Sequence, residues 1–363
     1  MHPQDPQLRA LIDRVLTARA DGVMLDIRGG GTKQFYGEAP KGEPLDVTPL
    51  SGISSYEPTE LVVTARGGTR LADLEAALAE HGQCLPFEPP RFAAGGTVGG
   101  MVAAGLSGPA RANAGAVRDH VLGLTLLSGR AEVLTFGGQV AKNVAGYDVS
   151  RLMAGSWGIL GVICEVSLKV MPMGVASATL CFECDERGAL EQLRHWASQP
   201  LPITASSWHA QRLYVRLAGA RAAVDAACVK LGGAALHPTP AQQWWLGIRD
   251  QSHAFFALDE SHANRGECLW RLSVPAAADL QLPGQQFIEW HGAQRWWRTT
   301  AVAGEVRAAA ARAGGHATLV RAAHKSSGVF MPLGDTLMRV HRALKKSFDP
   351  ACVFNPGRLY AEL

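Results

Sequence analysis

Residues 93–108 read AAGGTVGGMVAAGLSG, a run in which Gly95, Gly96, Gly99, Gly100, Gly105 and Gly108 alternate with small and apolar side chains. Each interior glycine costs a helix or strand up to about 1 kcal/mol against alanine, so the tract is not a comfortable regular element along its whole length. Something lying close to the backbone has to offset that cost, and a flat or extended ligand threading past it would do so. Two further tracts repeat the signal. IRGGGTK at 27–33 follows a strand-like stretch, and RLMAGSWGILGV at 151–162 carries Gly155, Ser156, Gly158 and Gly161 within seven positions. Three such tracts in one region point to one bound ligand.

The loop at 27–33 indicates what part of that ligand is. Successive glycines after a strand expose consecutive backbone N–H groups and permit positive φ, which makes a nest suited to phosphate oxygens. A charge-assisted hydrogen bond contributes about 1.5–3 kcal/mol, so several such donors hold a diphosphate firmly. The loop is not a Walker motif, since no G-K-S/T follows at the required spacing. It is not G-x-G-x-x-G either, because Gln34 stands where the last glycine would be. Taken alone it also reads as a plain glycine turn between strands.

Around these tracts the sequence alternates strands and helices. PQLRALIDRVLTARADG is a predicted helix with Leu8, Leu11, Ile12 and Val15 on one face, and TELVVTARGG a strand. TRLADLEAALAEHGQ is a predicted helix with Thr69 as N-cap, Leu71, Leu74 and Leu78 inward and Gly82 as its stop. VLGLTLLSG, AEVLTFGG and GVICEVSLKVMP supply further strands with hairpin-like links. Near residue 175 the composition changes: Trp157 is the only tryptophan before it, and Trp196, Trp208, Trp244, Trp245, Trp270, Trp290, Trp296 and Trp297 follow. The second region again mixes strands and helices, which implies an α+β layer covering the first. Trp296 and Trp297 are read as core or interface residues and not as a stacking platform.

With 363 residues the chain accommodates two domains. Its net charge of +3 is dispersed, with Lys345 and Lys346 the only adjacent lysines, so nucleic acid is not an expected partner. No stretch has about 18 uninterrupted apolar residues and the N-terminus has no signal-like core, so no transmembrane segment and a cytoplasmic location are expected. The seven cysteines, an odd number, are expected to be reduced. Cys181 and Cys184 lie on a strand pattern that puts them on opposite faces with no second cysteine cluster, so no metal site is expected.

The order RGGGT, then EPPRFAAGGTVGGMVAAGLSG, then GAVRDHVLGLTLLSGRAEVLTFGG, then KNVAGYDVSRLMAGSWGILGVICEVSLKVMP, with FDPACVFNPGRLY near the end, resembles the vanillyl-alcohol oxidase and p-cresol methylhydroxylase (PCMH) type of FAD-binding family. Within it the pattern is similar to the FAD-binding E subunits of glycolate oxidase. The resemblance covers the first region and the tail; the middle matches in length and tryptophan-rich character. It implies an α+β fold with a two-subdomain PCMH-type FAD-binding domain over 1–174, a smaller α+β cap over 175–333, and a C-terminal helix and tail over 334–363 that return to the flavin.

The same resemblance assigns residues by motif position. Arg28, Gly29, Gly30, Gly31, Thr32 and Lys33 would hold the FAD diphosphate. Gly95, Thr97, Gly99, Gly100, Ser107 and Gly108 would pass along the ribityl chain and flavin, while Asp119, Gly158, Ile159, Gly161 and Val162 would surround the adenine half. Asn355 and Arg358 would return from the C-terminus, and Tyr147 and Asp148 would support a flavin-side loop. Thr32 stands where members with covalent flavin often carry histidine, which implies non-covalent FAD. The cap lacks the compact histidine cluster of the large catalytic relatives, so a catalytic D-type flavin subunit and an iron–sulfur F-type subunit are the implied partners. Attachment to the inner membrane would then come through that complex.

Hydride removal from a 2-hydroxy acid needs an acceptor, a cation for the carboxylate and a base for the hydroxyl proton. His324 with Arg321 and Lys325 are weak candidates for the last two, with His209 and His291 as alternatives. Three classes therefore stand: an FAD subunit passing electrons to partners, a self-sufficient dehydrogenase for glycolate or D-lactate, and an assembly subunit that FAD stabilises. The KNVAGYDVSRLMAGSWG stretch argues against the enolpyruvyl reductase that shares the flavin fold.

Overall fold

The computed structural model describes residues 5–138 and 147–363. In chain order the first part runs α1 (Pro6–Asp21), β1 (Leu25–Arg28), β2 (Glu43–Asp46), β3 (Ile53–Glu57), β4 (Val62–Arg66), α2 (Leu71–Glu80), β5 (Gln83–Cys84), α3 (Val98–Ala104), α4 (Arg111–Ala114), α5 (Val117–His120), β6 (Val121–Leu127), β7 (Val133–Gly137), α6 (Val149–Leu152), β8 (Val162–Lys169) and β9 (Met171–Pro172). The second part runs β10 (Ala176–Glu183), α7 (Glu186–Ala197), β11 (Ile203–His209), β12 (Arg212–Gly219), α8 (Arg221–Leu231), β13 (Ala234–Ala235), α9 (Pro238–Arg249), α10 (Glu260–Asn264), β14 (Cys268–Ser273), β15 (Gln285–Glu289), β16 (Gln294–Thr299), α11 (Ala303–Arg312), β17 (His316–Arg321) and α12 (Asp335–Phe348).

Two subdomains share the first part. The parallel pair β1–β2 packs with α1 and the C-terminal tail around Leu8, Leu11, Val15, Leu25 and Phe354. The antiparallel sheet β3-β4-β8-β6-β7 packs on α2 and α3 through Leu71, Leu74, Leu78, Met101 and Val102. β8 lies between β4 and β6; its sequence alternates from Cys164 to Lys169, and the buried Ser167 hydroxyl on its polar face is paired with Thr64 of β4 at 2.8 Å. Thr69 does not cap α2. Its hydroxyl is taken by both backbone groups of Gly52, and Arg70 occupies the N-cap position.

The second part is an antiparallel sheet ordered β13-β10-β12-β11-β15-β16-β14-β17. Helices α7, α8 and α11 cover its outer face through Trp196, Val224 and Val306. The inner face carries Phe287 and Trp296, and with Trp245, Phe255 and Phe256 it packs against Tyr36, Leu106 and Trp157 of the first part. Trp296 thus lies in the layer between the two sheets, while its neighbour Trp297 lies in the outer layer. Cys181 and Cys184 are divided between the same two layers. The α+β class is as the sequence implied.

After α12 the chain returns to the start of the molecule. Lys345 Nζ is buried and donates to the carbonyls of Ile159 and Phe354, both at 2.7 Å, and to Asp349 at 2.8 Å. Asp349 in turn accepts from the N–H groups of Val353 and Phe354. This buried pair turns the tail so that Phe354 bridges to Leu25 in parallel, extending the β1–β2 pair by one short segment. No helix of the described residues is long and apolar enough to cross a membrane.

Candidate functional site

β1 ends at Arg28 and the chain passes through Gly29 and Gly30 to Gly31, which sits at φ +67°. A Cβ on Gly30 would stand 1.5 Å from the Gly95 carbonyl oxygen, and one on Gly29 2.2 Å from the Thr97 hydroxyl. The first two glycine tracts therefore lie backbone to backbone. The N–H groups of Gly29 through Lys33 meet no acceptor among the described residues. The same five residues line a cleft of about 800 Å³, its open mouth included.

The opposite wall is α3 and the third glycine tract: Thr97, Gly99, Gly100, Ala103 and Ala104 from one, Trp157, Gly158, Gly161, Val162 and Ile163 from the other. Within the tract at 93–108 only Val98–Ala104 is helical, as α3, and the rest is not. Gly99 lets α3 approach the turn after β4, where its N–H donates to the Gly67 carbonyl at 2.7 Å and a Cβ would stand 2.9 Å from the same oxygen. Part of the cost is offset by that backbone contact and not by a ligand. Thr97 caps α3 by accepting from Gly100 N–H at 3.2 Å.

The tail closes the third side. Asn355 accepts from Ile27 N–H at 2.7 Å and donates to the Trp157 carbonyl at 2.6 Å, so one buried amide ties the first glycine loop to the third. It holds φ +42°, a left-handed conformation that asparagine tolerates. Arg358 donates to the carbonyls of Lys33, Gln34, Tyr36 and Glu38 and so fixes the 33–38 turn. Its guanidinium stacks over Trp157 at 5.3 Å.

The electrostatics of the cleft are mixed. Asp26 is buried and paired with Arg28 Nε at 2.5 Å. Burial pushes the Lys33 ammonium down to about 8 against a pull from Asp250. Burial, and then the Arg358 charge, push Lys325 down to about 8 as well, and Lys325 donates to the Phe35 carbonyl. Arg321 stacks over the Phe35 ring at 4.1 Å, its Nε without a partner among the described residues.

Of the residues assigned from sequence, Arg28, Gly29, Gly30, Gly31, Thr32, Lys33, Thr97, Gly99, Gly100, Gly158, Gly161, Val162, Asn355 and Arg358 line this one cleft. Gly95 lines an adjoining groove with Gly30, Gly68 and Thr69. Four lie elsewhere for visible reasons. The Ser107 hydroxyl accepts from Val117 N–H, and Gly108 is pressed against the Glu88 carbonyl and accepts from Trp290 Nε1. Asp119 caps α5 by accepting from Ala116 N–H at 2.8 Å, and Ile159 is core, its carbonyl taken by Lys345. Gly155 does not line the cleft: it takes φ +85° with open space at its Cβ position, and it is a Cβ on Gly105 that would stand 2.9 Å from the Gly155 backbone.

Tyr147 is 98% exposed and Asp148 caps α6, so neither side chain borders the cleft; the KNVAG stretch at 142–146 lies outside the described residues. His324 is exposed, His209 stacks on Phe287, and His291 is bonded to Ser206 and Asn113, so no two of these histidines share a site. Among the described residues no group of three His, Cys, Asp or Glu side chains is placed to hold a metal. Sequence reasoning missed Asp26, Trp157, Ala103 and Ala104 as cleft residues. The signals were present: an acid inside the apolar strand MLDIR, and Gly99/Ala103 and Gly100/Ala104 at i,i+4, a bare stripe on one helix face.

A family model described as an FAD binding domain matches residues 7–148. Over 356 residues, 98% of each chain, the sequence is 46% identical to glycolate oxidase subunit GlcE of Escherichia coli (strain K12). The chain belongs to the glycolate oxidase subunit GlcE family. It is also 31% identical to glycolate oxidase subunit GlcD of Bacillus subtilis (strain 168), over 172 residues that make 47% of this chain and 36% of that one. The GlcE likeness therefore includes the region after residue 175, while the GlcD likeness covers under half of the chain. Among solved structures, alkyldihydroxyacetonephosphate synthase superposes with a TM-score of 0.66 over 96% of this chain and 74% of that one, at 16% identity, which establishes a shared fold. For a GlcE family member, the cleft between the glycine tracts is the place to test for FAD.

The residues present fit that group. FAD carries a diphosphate, and the row of unpaired N–H groups from Gly29 to Lys33 is a donor set for one. The Ser156 hydroxyl, next to Trp157 in the wall, is buried without a partner among the described residues.

Proposed function

We propose that this chain is the FAD-binding subunit of a glycolate oxidase complex. In it the chain takes part in flavin-mediated oxidation of glycolate to glyoxylate and passes electrons to partner subunits, a D-type flavin subunit and an iron–sulfur F-type subunit. The observation that carries the reading is that five consecutive N–H groups at 29–33 meet no acceptor among the described residues, in a cleft lined also by Gly99, Gly100, Gly158 and Gly161. Bound FAD supplies an acceptor for the hydride of a substrate C–H bond.

The chain's own residues bind and orient. Gly29, Gly30, Gly31 and Thr32 present their N–H groups to the diphosphate, and the Lys33 ammonium stays charged against it. Thr97, Gly99 and Gly100 with Gly158, Gly161 and Val162 leave room for a flat group between two backbones. Asn355 and Arg358 position the loops. Trp157 and Tyr36, whose rings lie 5.2 Å apart, close the end towards the second sheet and exclude water there. Thr32 offers no histidine nitrogen for covalent attachment, so the FAD is dissociable. Residues 1–174, 175–333 and 334–363 act as cofactor domain, cap and returning tail. The location is cytoplasmic, with contact to the inner membrane through the partners.

The test is the anaerobic visible spectrum of the purified chain before and after glycolate and then D-lactate. Flavin that stays oxidised in the isolated chain but bleaches in the assembled complex supports the subunit role. Prompt bleaching in the isolated chain makes it a self-sufficient dehydrogenase, and a chain that neither carries nor takes up flavin overturns the proposal.

A further inference from the structure

A second pocket, which shares no residue with the cofactor cleft, opens between α9, the strands β10 and β12 and the segment around Glu88, with a volume of about 1050 Å³, its open mouth included. One side of it is apolar, formed by Leu236, Ala241, Trp245 and the exposed Leu246. The other carries two guanidiniums, Arg216 of β12 and Arg249 of α9, and both adjoin Glu88. Arg216 Nη1 pairs with Glu88 Oε1 at 2.8 Å. A Cβ on Gly108 would stand 3.1 Å from Glu88 Cβ and 3.2 Å from Arg249 Cγ, so those two stems are neighbours. Trp245 and Arg249 are four residues apart on one face of α9, and the Arg216 guanidinium lies over the Trp245 ring at 5.2 Å.

Neighbouring acceptors take most of the donors on these two arginines. Arg216 uses Nε on Thr204 at 3.0 Å and Nη1 on Glu88, and Arg249 uses Nε and Nη2 on Asp250 at 3.0 and 2.7 Å. Arg216 Nη2 and Arg249 Nη1 are left with no acceptor among the described residues, and neither nitrogen is fully enclosed. The two carboxylates already serve other donors: Glu88 Oε2 accepts from Ala110 N–H and Asp250 Oδ1 from Arg91 N–H, both at 2.9 Å. Stacking on Trp245 occupies the flat face of the Arg216 guanidinium and leaves its edge available. The arginine side chains are only 15% and 16% exposed, and a partly desolvated N–H without an acceptor costs stability that an incoming acceptor recovers.

We propose that this pocket binds a small apolar monocarboxylate, whose carboxylate accepts from Arg216 Nη2 and Arg249 Nη1 and whose hydrocarbon part lies along Trp245, Leu246 and Leu236. Charge-assisted bonds to two guanidinium edges fix the acid group, and the apolar wall selects the body attached to it. Glu88 and Asp250 offset the two positive charges, which opposes a phosphate dianion and leaves a place for a single negative charge. The site straddles the two parts of the chain, Glu88 coming from the first and both arginines from the second, and it stands independently of the cofactor reading.

The experiment is calorimetric titration of benzoate, acetate and benzamide into the full-length chain. Wild type is expected to bind benzoate at one site. Acetate, which lacks the apolar body, and benzamide, which lacks the charge, are each expected to bind about tenfold or more weakly. Arg249→Met removes one donor and keeps the bulk of the side chain, while Leu246→Glu sets a carboxylate on the apolar wall; each is expected to weaken benzoate binding about tenfold or more. Leu246 is 40% exposed, so its variant is expected to fold even if the first does not, and circular dichroism checks both. The site is overturned if wild type takes up no benzoate, if acetate or benzamide binds as tightly, or if a folded variant binds benzoate as wild type does, which would place the benzoate outside this pocket.

Discussion

Replacing Asn355 with alanine removes the amide that joins the first and third glycine tracts. Its oxygen takes the Ile27 N–H at 2.7 Å and its nitrogen serves the Trp157 carbonyl at 2.6 Å, in a residue only 6% exposed. Each backbone group left unpaired in the interior costs about 1–3 kcal/mol, so the two together cost about 2–6 kcal/mol. Alanine at φ +42° adds about 1 kcal/mol that asparagine largely escapes. A loss of 3 kcal/mol or more is a large part of the roughly 5–15 kcal/mol by which a domain is stable. Asn355→Gly has the same missing hydrogen bonds without the φ penalty and is expected to fall slightly less far. Because Ile27 and Trp157 both line the cleft, FAD affinity is expected to drop about tenfold or more in both variants, as loop positions loosen. Urea denaturation and quenching of flavin fluorescence on titration measure the two effects. An Asn355→Ala protein within 1 kcal/mol of wild type, or one that binds FAD equally well, would refute the stitching role.

Lys33 gives a pH dependence whose sign follows from its depressed value. With the free ammonium at about 8 and a higher value once a diphosphate lies against it, binding takes up a proton above pH 8. The dissociation constant of FAD is thus expected to be flat below that pH and to rise up to about tenfold per unit above it. Equilibrium titrations on wild type and Lys33→Met test this; a flat wild-type profile, or the same slope in the variant, counts against it. Gly30→Ala is expected to abolish FAD binding, since its Cβ would stand 1.5 Å from the Gly95 oxygen and the two tracts must part; a variant purified with normal flavin content contradicts the close approach. Lys345→Met leaves Asp349 as a buried charge and three acceptors without their ammonium, and is expected to cost about 3–5 kcal/mol by chemical denaturation.

The sequence by itself determined the cofactor half of this protein. Most of the glycines at 29–31, 95–100 and 155–161 mark places where a Cβ is crowded or where φ is positive, and strand and helix periodicity sets the order of elements around them. Those signals are local, so they survive in one dimension. What glycine does not state is which atom occupies the missing space. Gly30 faces the Gly95 backbone, Gly99 the Gly67 carbonyl, Gly105 the Gly155 backbone and Gly108 the Glu88 carbonyl, whereas Gly29 to Gly31 also line the cleft with N–H groups that meet no acceptor among the described residues. Ligand contact and backbone contact demand the same residue, and only the packed structure separates them.

The same holds for Thr69, whose N-cap pattern lost to a pair of hydrogen bonds with Gly52, a partner brought near by the sheet. Asn355 reads from sequence as a residue near the flavin, yet its amide serves two backbone groups contributed by distant loops.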